Sequence, residues 1–141
     1  MQVKRVLVPL NGNVTDADVI GFAMTLSKPA KAQMVAIHVI EVRWNLPLDA
    51  VLDAEIARGE EILSQGEALA RKSGMTLETE LLQAREAAAA IVDTAAERKS
   101  DLILLGMPYR KRLGRVYVGR TVQSVYLRAP CAVLAYRQEQ P

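Results

Sequence analysis

Short apolar runs alternate along this chain with longer stretches of helical spacing. Arg5 to Leu10 (RVLVPL) is apolar and closes on Pro9 and the turn residues Asn11-Gly12-Asn13, which predicts a buried strand. Thr15 or Asp16 then stands where a helix cap is expected, and Val19, Ile20, Ala23, Met24 and Leu26 recur at helical spacing until Pro29. Gln33 to Val42 (QMVAIHVIEV) is rich in β-branched residues and predicts a second buried strand. Asn45-Leu46-Pro47 breaks the chain, and a long amphipathic pattern from about Leu48 to Lys72 predicts a helix stopped by Ser73-Gly74, with Gly74 as a left-handed cap.

The second half continues the alternation. Met75 to Gln83 sets Leu77, Thr79 and Leu81 against Thr76, Glu78 and Glu80, the pattern of a half-exposed edge strand. Glu86 to Lys99 is Ala-rich and helical, Asp101 to Leu105 is a buried strand, and Thr121 to Arg128 is a final helix. Pro130 interrupts before a last strand, Cys131 to Tyr136. Strands and helices in this order imply a parallel sheet with helices on both faces, because parallel strands need crossover connections. The pattern alone allows either a 3-2-1-4-5 or a 2-1-3-4-5 strand order. No repeat or linker divides the 141 residues, so one domain spans 1–141.

Composition narrows the function. Half of the chain is hydrophobic and only 4% is aromatic, so the core is built from aliphatic residues. A net charge of +2 argues against a dedicated nucleic-acid binder. The charge is unevenly spread: from Leu102 onward the chain carries Arg110, Lys111, Arg112, Arg115, Arg120, Arg128 and Arg137 against one acid, Glu139. A single cysteine, Cys131, excludes an internal disulfide and fits a reducing compartment. No apolar run approaches the roughly 18–20 residues that cross a bilayer, so a soluble cytoplasmic domain without membrane insertion is expected.

Candidate chemistry concentrates after the fourth strand. Leu105 and Gly106 end that strand, a basic glycine-punctuated loop follows, and Gly119, Arg120 and Thr121 open the last helix. Glycines let backbone N–H groups approach an anion, and a helix start adds partial positive charge. Ligands of open α/β sheets sit at the carboxyl ends of the strands, here those of strands one, two and four. His38 is the only histidine, so neither a metal cluster nor a histidine-based triad can be assembled, and it reads as structural. Cys131 reads as a packed small hydrophobe and Glu60, Glu61 and Glu67 as a solvated face. Trp44 covers either the cleft entrance or a dimer contact.

In order and spacing, RVLVPLNGN, VAIHVIEV, AAAAIVDTAAERKSDLILLG and VGRTVQSVYLRAPCAVLAYR together resemble a universal stress protein domain over nearly the whole chain. The resemblance implies a doubly wound five-stranded parallel sheet of order 3-2-1-4-5 and a homodimer formed through Cys131–Tyr136. It also implies an adenine nucleotide as ligand, ATP or AMP, with Mg²⁺ as a companion of ATP. The family's phosphate motif, Gly-x2-Gly-x9-Gly-Ser/Thr, falls on Gly106, Tyr109, Gly119 and Arg120, so two of the four positions match and Thr121 follows one residue late. Pro9, Leu10, Asn11 and Val39 fall on positions that line the base and ribose pocket, with Asn11 where the family carries an acid. Val39 and Leu10 are expected to enclose the base. Tyr109 either stacks on the base or fills part of the pocket. The implied function is a nucleotide-binding stress-response regulator, not an enzyme. The alternative is a dimeric interaction module without a nucleotide, its cleft filled by Tyr109, for instance as the cytoplasmic domain of a transporter.

Overall fold

The computed structural model describes residues 2–141. In chain order the elements are β1 (Arg5–Pro9), α1 (Asp16–Ser27), β2 (Gln33–Glu41), α2 (Asp53–Lys72), β3 (Leu77–Ala84), α3 (Ala87–Glu97) and β4 (Leu102–Met107). Then follow the short strands β5 (Lys111–Arg112) and β6 (Arg115–Val116), α4 (Arg120–Arg128) and β7 (Ala132–Arg137). The large sheet is fully parallel in the order β3-β2-β1-β4-β7. This is the expected 3-2-1-4-5 arrangement, with β7 as the fifth strand because β5 and β6 form a separate antiparallel hairpin.

The period-2 alternation of the strands divides the core between two faces. Val6, Val8, Leu10, Met34, Ala36, Leu102 and Leu104 point to one face, where Val19, Ile20 and Ala23 of α1 and Ile62, Leu63 and Ala70 of α2 cover them. Leu7, Val35, Ile37, Ile103 and Leu105 point to the other, covered by Ala88, Ile91 and Ala95 of α3 and Val122 and Val125 of α4. Asp101 pins the start of β4 to β1, its carboxylate accepting from the Lys4 N–H at 2.9 Å and the Arg5 N–H at 3.2 Å.

Helix ends follow local chemistry. Gly74 has φ +72°, and the Gly74 and Met75 N–H groups donate to the carbonyls of Arg71 and Ala70, the glycine-capped ending read from Ser73-Gly74. The start of α2 differs from expectation. Leu48 to Leu52 lies outside the helix because the Gln83 amide donates to the Leu48 and Ala50 carbonyls at 2.9 and 3.1 Å, holding that segment against β3. A side chain from a strand 33 residues away in sequence decides this boundary. Among the described residues, no helix is long and apolar enough to cross a membrane.

Candidate functional site

Two connections frame the carboxyl ends of the central strands: the β1–α1 turn and the β4–α4 segment. In the first, Asn13 Oδ1 accepts from the Thr15 N–H at 2.9 Å and from the Thr15 hydroxyl at 2.5 Å, closing the turn before α1. Asp16, the first residue of α1, reaches back and accepts from the Gly12 N–H at 2.7 Å and the Asn11 N–H at 3.2 Å. These donors are therefore engaged by an internal carboxylate. Burial pushes the Asp16 carboxyl above its ordinary 3.8, while the two N–H bonds and the nearby His38 and Arg58 pull it down in part. The acid expected after β1 is absent from position 11, but a carboxylate reaches the same turn from position 16. Sequence reasoning considered Asp16 only as a helix cap.

His38 is structural, as expected from its isolation. Its Nδ1 lies 2.7 Å from the Leu10 carbonyl, and its ring packs close to Gly59 of α2. Among the described residues, no group of three or more metal-binding side chains occurs.

The β4–α4 segment is ordered as a hairpin. Leu113 and Gly114, both with positive φ (51° and 77°), form the two-residue turn that joins β5 to β6. The hairpin exposes Lys111, Arg112 and Arg115, with Leu113 98% exposed at its tip. It returns the chain to Gly119, the N-cap of α4, which lacks a side-chain capping bond.

A cleft of about 920 Å³ runs between α3 and α4, bounded by the ends of β2 and β3. Arg120 and Thr121 form one wall, with Ser124 and Arg128 further along α4; Arg85, Glu86 and the Ala-rich face of α3 form the other, and Trp44 stands at the rim. Most polar groups here already have partners. Arg128 pairs with Glu86 at 2.7 Å, and Glu41 accepts from the Ala87 N–H at 2.9 Å at the start of α3. Arg85 donates to the Arg43 and Leu46 carbonyls at 2.6 and 2.8 Å, which ties the loop after β2 to the end of β3. Arg120 takes part in none of the ion pairs among the described residues, which join Arg98 to Glu78 and Glu80 and Arg128 to Glu86.

The ten expected site residues distribute unevenly. Arg120 and Thr121 line the cleft. Gly119 precedes them in extended conformation, with nothing near the place a Cβ would occupy. Val39 is half-buried and packs on the α3/α4 side of the sheet. Asn11 is exposed, and Pro9 and Leu105 are buried strand residues.

Three of these residues have other surroundings. The Leu10 side chain is 1% exposed and lies in the core under α1 and α2, on the face opposite Val39. Gly106 has a packing reason for being glycine, because a Cβ there would stand 2.5 Å from both Thr15 Oγ1 and Val19 Cγ2. Tyr109 neither lines nor fills the α3–α4 cleft. Its N–H donates to Gln138 Oε1 at 3.1 Å, and its ring lies under the Arg137 guanidinium at 5.1 Å, beside the end of β7. Arg85 was not anticipated at all. Its only signal in the sequence is a cation at the junction of a strand and an Ala-rich helix.

Several known proteins resemble this chain. A universal stress protein of Methanocaldococcus jannaschii is 28% identical over 141 residues, 96% of this chain and 82% of that protein. The universal stress protein UspA from Lactobacillus plantarum, 28% identical, superposes with a TM-score of 0.81 and covers 97% of this chain and 99% of its own. A universal stress protein from Archaeoglobus fulgidus, solved in complex with dAMP, shares the fold at 23% identity with a TM-score of 0.76, covering 96% and 98% of the two chains. The model of the universal stress protein family matches residues 2–137, and with that match running from before β1 to the end of β7, the chain belongs to this family.

Proposed function

We propose that this chain is a regulatory domain that binds an adenine nucleotide, AMP or ATP, in the cleft at the start of α4. The observation that carries the reading is Arg120 with Thr121 on the cleft wall, free of any ion pair among the described residues, at a helix start capped only by glycine. A guanidinium and a hydroxyl beside unpaired backbone N–H groups favour a phosphate. Val39 packs on the same face of the sheet. The Archaeoglobus fulgidus protein that shares the fold was solved in complex with dAMP, which supports this reading.

The β1–α1 turn argues for a short phosphate chain. Its Asn11 and Gly12 N–H groups already serve the Asp16 carboxylate and are not free for a second or third phosphate. AMP therefore binds more tightly than Mg²⁺-ATP. We assign a binding role and no catalytic one, since the sole histidine is held by the Leu10 carbonyl.

Calorimetric titration of AMP, ADP, ATP and cyclic AMP, with and without Mg²⁺, tests this reading. Gly119→Val sharpens the test. Gly119 has φ −62° and open space around it, so valine fits without a clash at a modest cost in helix capping, and its side chain stands where a ligand would. Loss of AMP binding in a variant that remains folded is expected; undiminished affinity would remove Gly119 from the site.

A second reading, a dimeric interaction module without a nucleotide, draws on the hairpin. Its basic strands and exposed Leu113 present a surface suited to a partner. Absence of heat with every nucleotide, together with pull-down of a partner lost in Leu113→Asp, favours it.

A further inference from the structure

Trp44 is unusual for this core-poor-in-aromatics chain: it is the sole tryptophan, yet 83% of it is exposed. An indole on a surface loop gains little for folding from such a position. Its placement is nevertheless constrained. The Arg85 guanidinium lies over the ring at 4.9 Å from its centroid. Arg85 is itself anchored, donating to the Arg43 and Leu46 carbonyls on either side of Trp44. One side of the indole is thus backed by a fixed cation, and the residue stands at the rim of the same cleft that holds Arg120 and Thr121.

We infer that Trp44 is the stacking platform for the ligand's base, and that the cleft takes purine mononucleotides with little discrimination between adenine and guanine. The inference rests on the nucleotide reading above and specifies which group grips the base. A planar base stacks on the free side of an indole through dispersion and apolar contact, which every purine offers. Telling adenine from guanine needs donors or acceptors aimed at the base edge. Three polar side chains of the cleft beside Trp44 are held in place by partners of their own. Arg85 serves the loop carbonyls, Gln83 serves the Leu48 and Ala50 carbonyls, and Glu41 serves the Ala87 N–H. Arg120 and Thr121, without such commitments, belong to the phosphate end and recognise what all nucleotides share.

Because Trp44 is the only tryptophan, the emission of the unmodified protein reports directly on the base. Titrations of AMP, GMP, CMP and ribose 5-phosphate are followed by tryptophan fluorescence and, in parallel, by calorimetry. The expected result is quenching by AMP and GMP with dissociation constants within about five-fold of each other. CMP binds more weakly, and ribose 5-phosphate binds without quenching. Trp44→Ala, a change at an exposed side chain, weakens AMP about ten-fold in calorimetry and leaves ribose 5-phosphate unchanged. Trp44→Phe recovers part of the loss. Calorimetric binding of AMP with unchanged emission and full affinity in Trp44→Ala would overturn the stacking role while leaving the nucleotide reading intact. Preference for AMP over GMP by more than about thirty-fold would overturn the shared-purine specificity. No binding of any nucleotide by either method would overturn both this inference and the reading it rests on.

Discussion

At the scale of single residues, identical amino acids do different work according to what surrounds them. Gly106 sits where β4 passes under α1, and its missing side chain makes room for Thr15 and Val19. Both neighbours are β-branched, Val19 within α1 and Thr15 bonded to Asn13 at its start, so neither swings away easily from an added methyl. Gly106→Ala is expected to destabilise the fold by about 1–3 kcal/mol, read from urea unfolding. Wild-type stability in that variant would mean that β4 and α1 separate at no cost. Asp16 makes a prediction about pH. Burial raises its folded-state pKa above 3.8, so the folded chain retains a proton over a window where the unfolded chain has lost it. The stability contributed by this group is fully present below 3.8 and is lost as pH rises through the raised value. The unfolding free energy of the wild type minus that of Asp16→Asn should therefore decline with rising pH above 3.8 and then level off. A difference that climbs with pH would reverse the sign assigned here.

At the scale of elements, capping and periodicity set most boundaries and tertiary bonds set the rest. The end of α2 follows from Gly74 alone, because glycine reaches positive φ without a steric cost. Its start does not: the amphipathic spacing extends back to Leu48, but the Gln83 amide holds the Leu48 and Ala50 carbonyls and a turn joins Ala50 to Pro47. In α1, Gly21 has nothing near the position of a Cβ. Gly21→Ala should raise stability by about 0.5–1 kcal/mol through helix propensity, measured as an increased urea midpoint. An unchanged or lowered midpoint would indicate a contact at this face of α1. The β5–β6 hairpin was legible only as a basic glycine loop. Its pairing depends on a turn with Leu113 in a left-handed conformation that leucine seldom adopts, so residue preferences gave no hint of it.

At the scale of the whole molecule, the edge strand β7 raises the question of a partner. Val133 and Ala135 are covered from the α3/α4 side, and the Tyr136 ring packs 5.3 Å from Phe22 of α1. Leu134 remains 48% exposed at the sheet edge, and Leu127 of α4 is exposed nearby in sequence. An unpaired edge with exposed aliphatic residues suits a second copy of the same strand. We expect light scattering to find twice the 15.5 kDa chain mass in solution, and Leu134→Arg to yield single chains with their secondary structure intact. A wild-type protein that stays monomeric at high micromolar concentration would exclude pairing through this edge. For Cys131, at the start of the same region, burial and the nearby Asp101 push the thiol above the ordinary 9.0, which disfavours the thiolate.

The sequence by itself determined the parallel α/β architecture, because the period of apolar residues dictates which segments are strands, which are helices and which faces they bury. It pointed to the carboxyl ends of strands one, two and four as the place for a ligand, whereas the cleft of the folded chain lies between α3 and α4 at the ends of β2 and β3. Only the tertiary structure decided what fills and lines that cleft. Tyr109 turns to Arg137, Leu10 turns to the opposite core, and Asp16 occupies the turn donors, while Trp44 and Arg85 meet across the loop after β2. The physical reason is that burial patterns are local and repeat every few residues, whereas a site joins side chains distant in the chain. Their orientations are settled by hydrogen bonds and packing that no periodicity encodes.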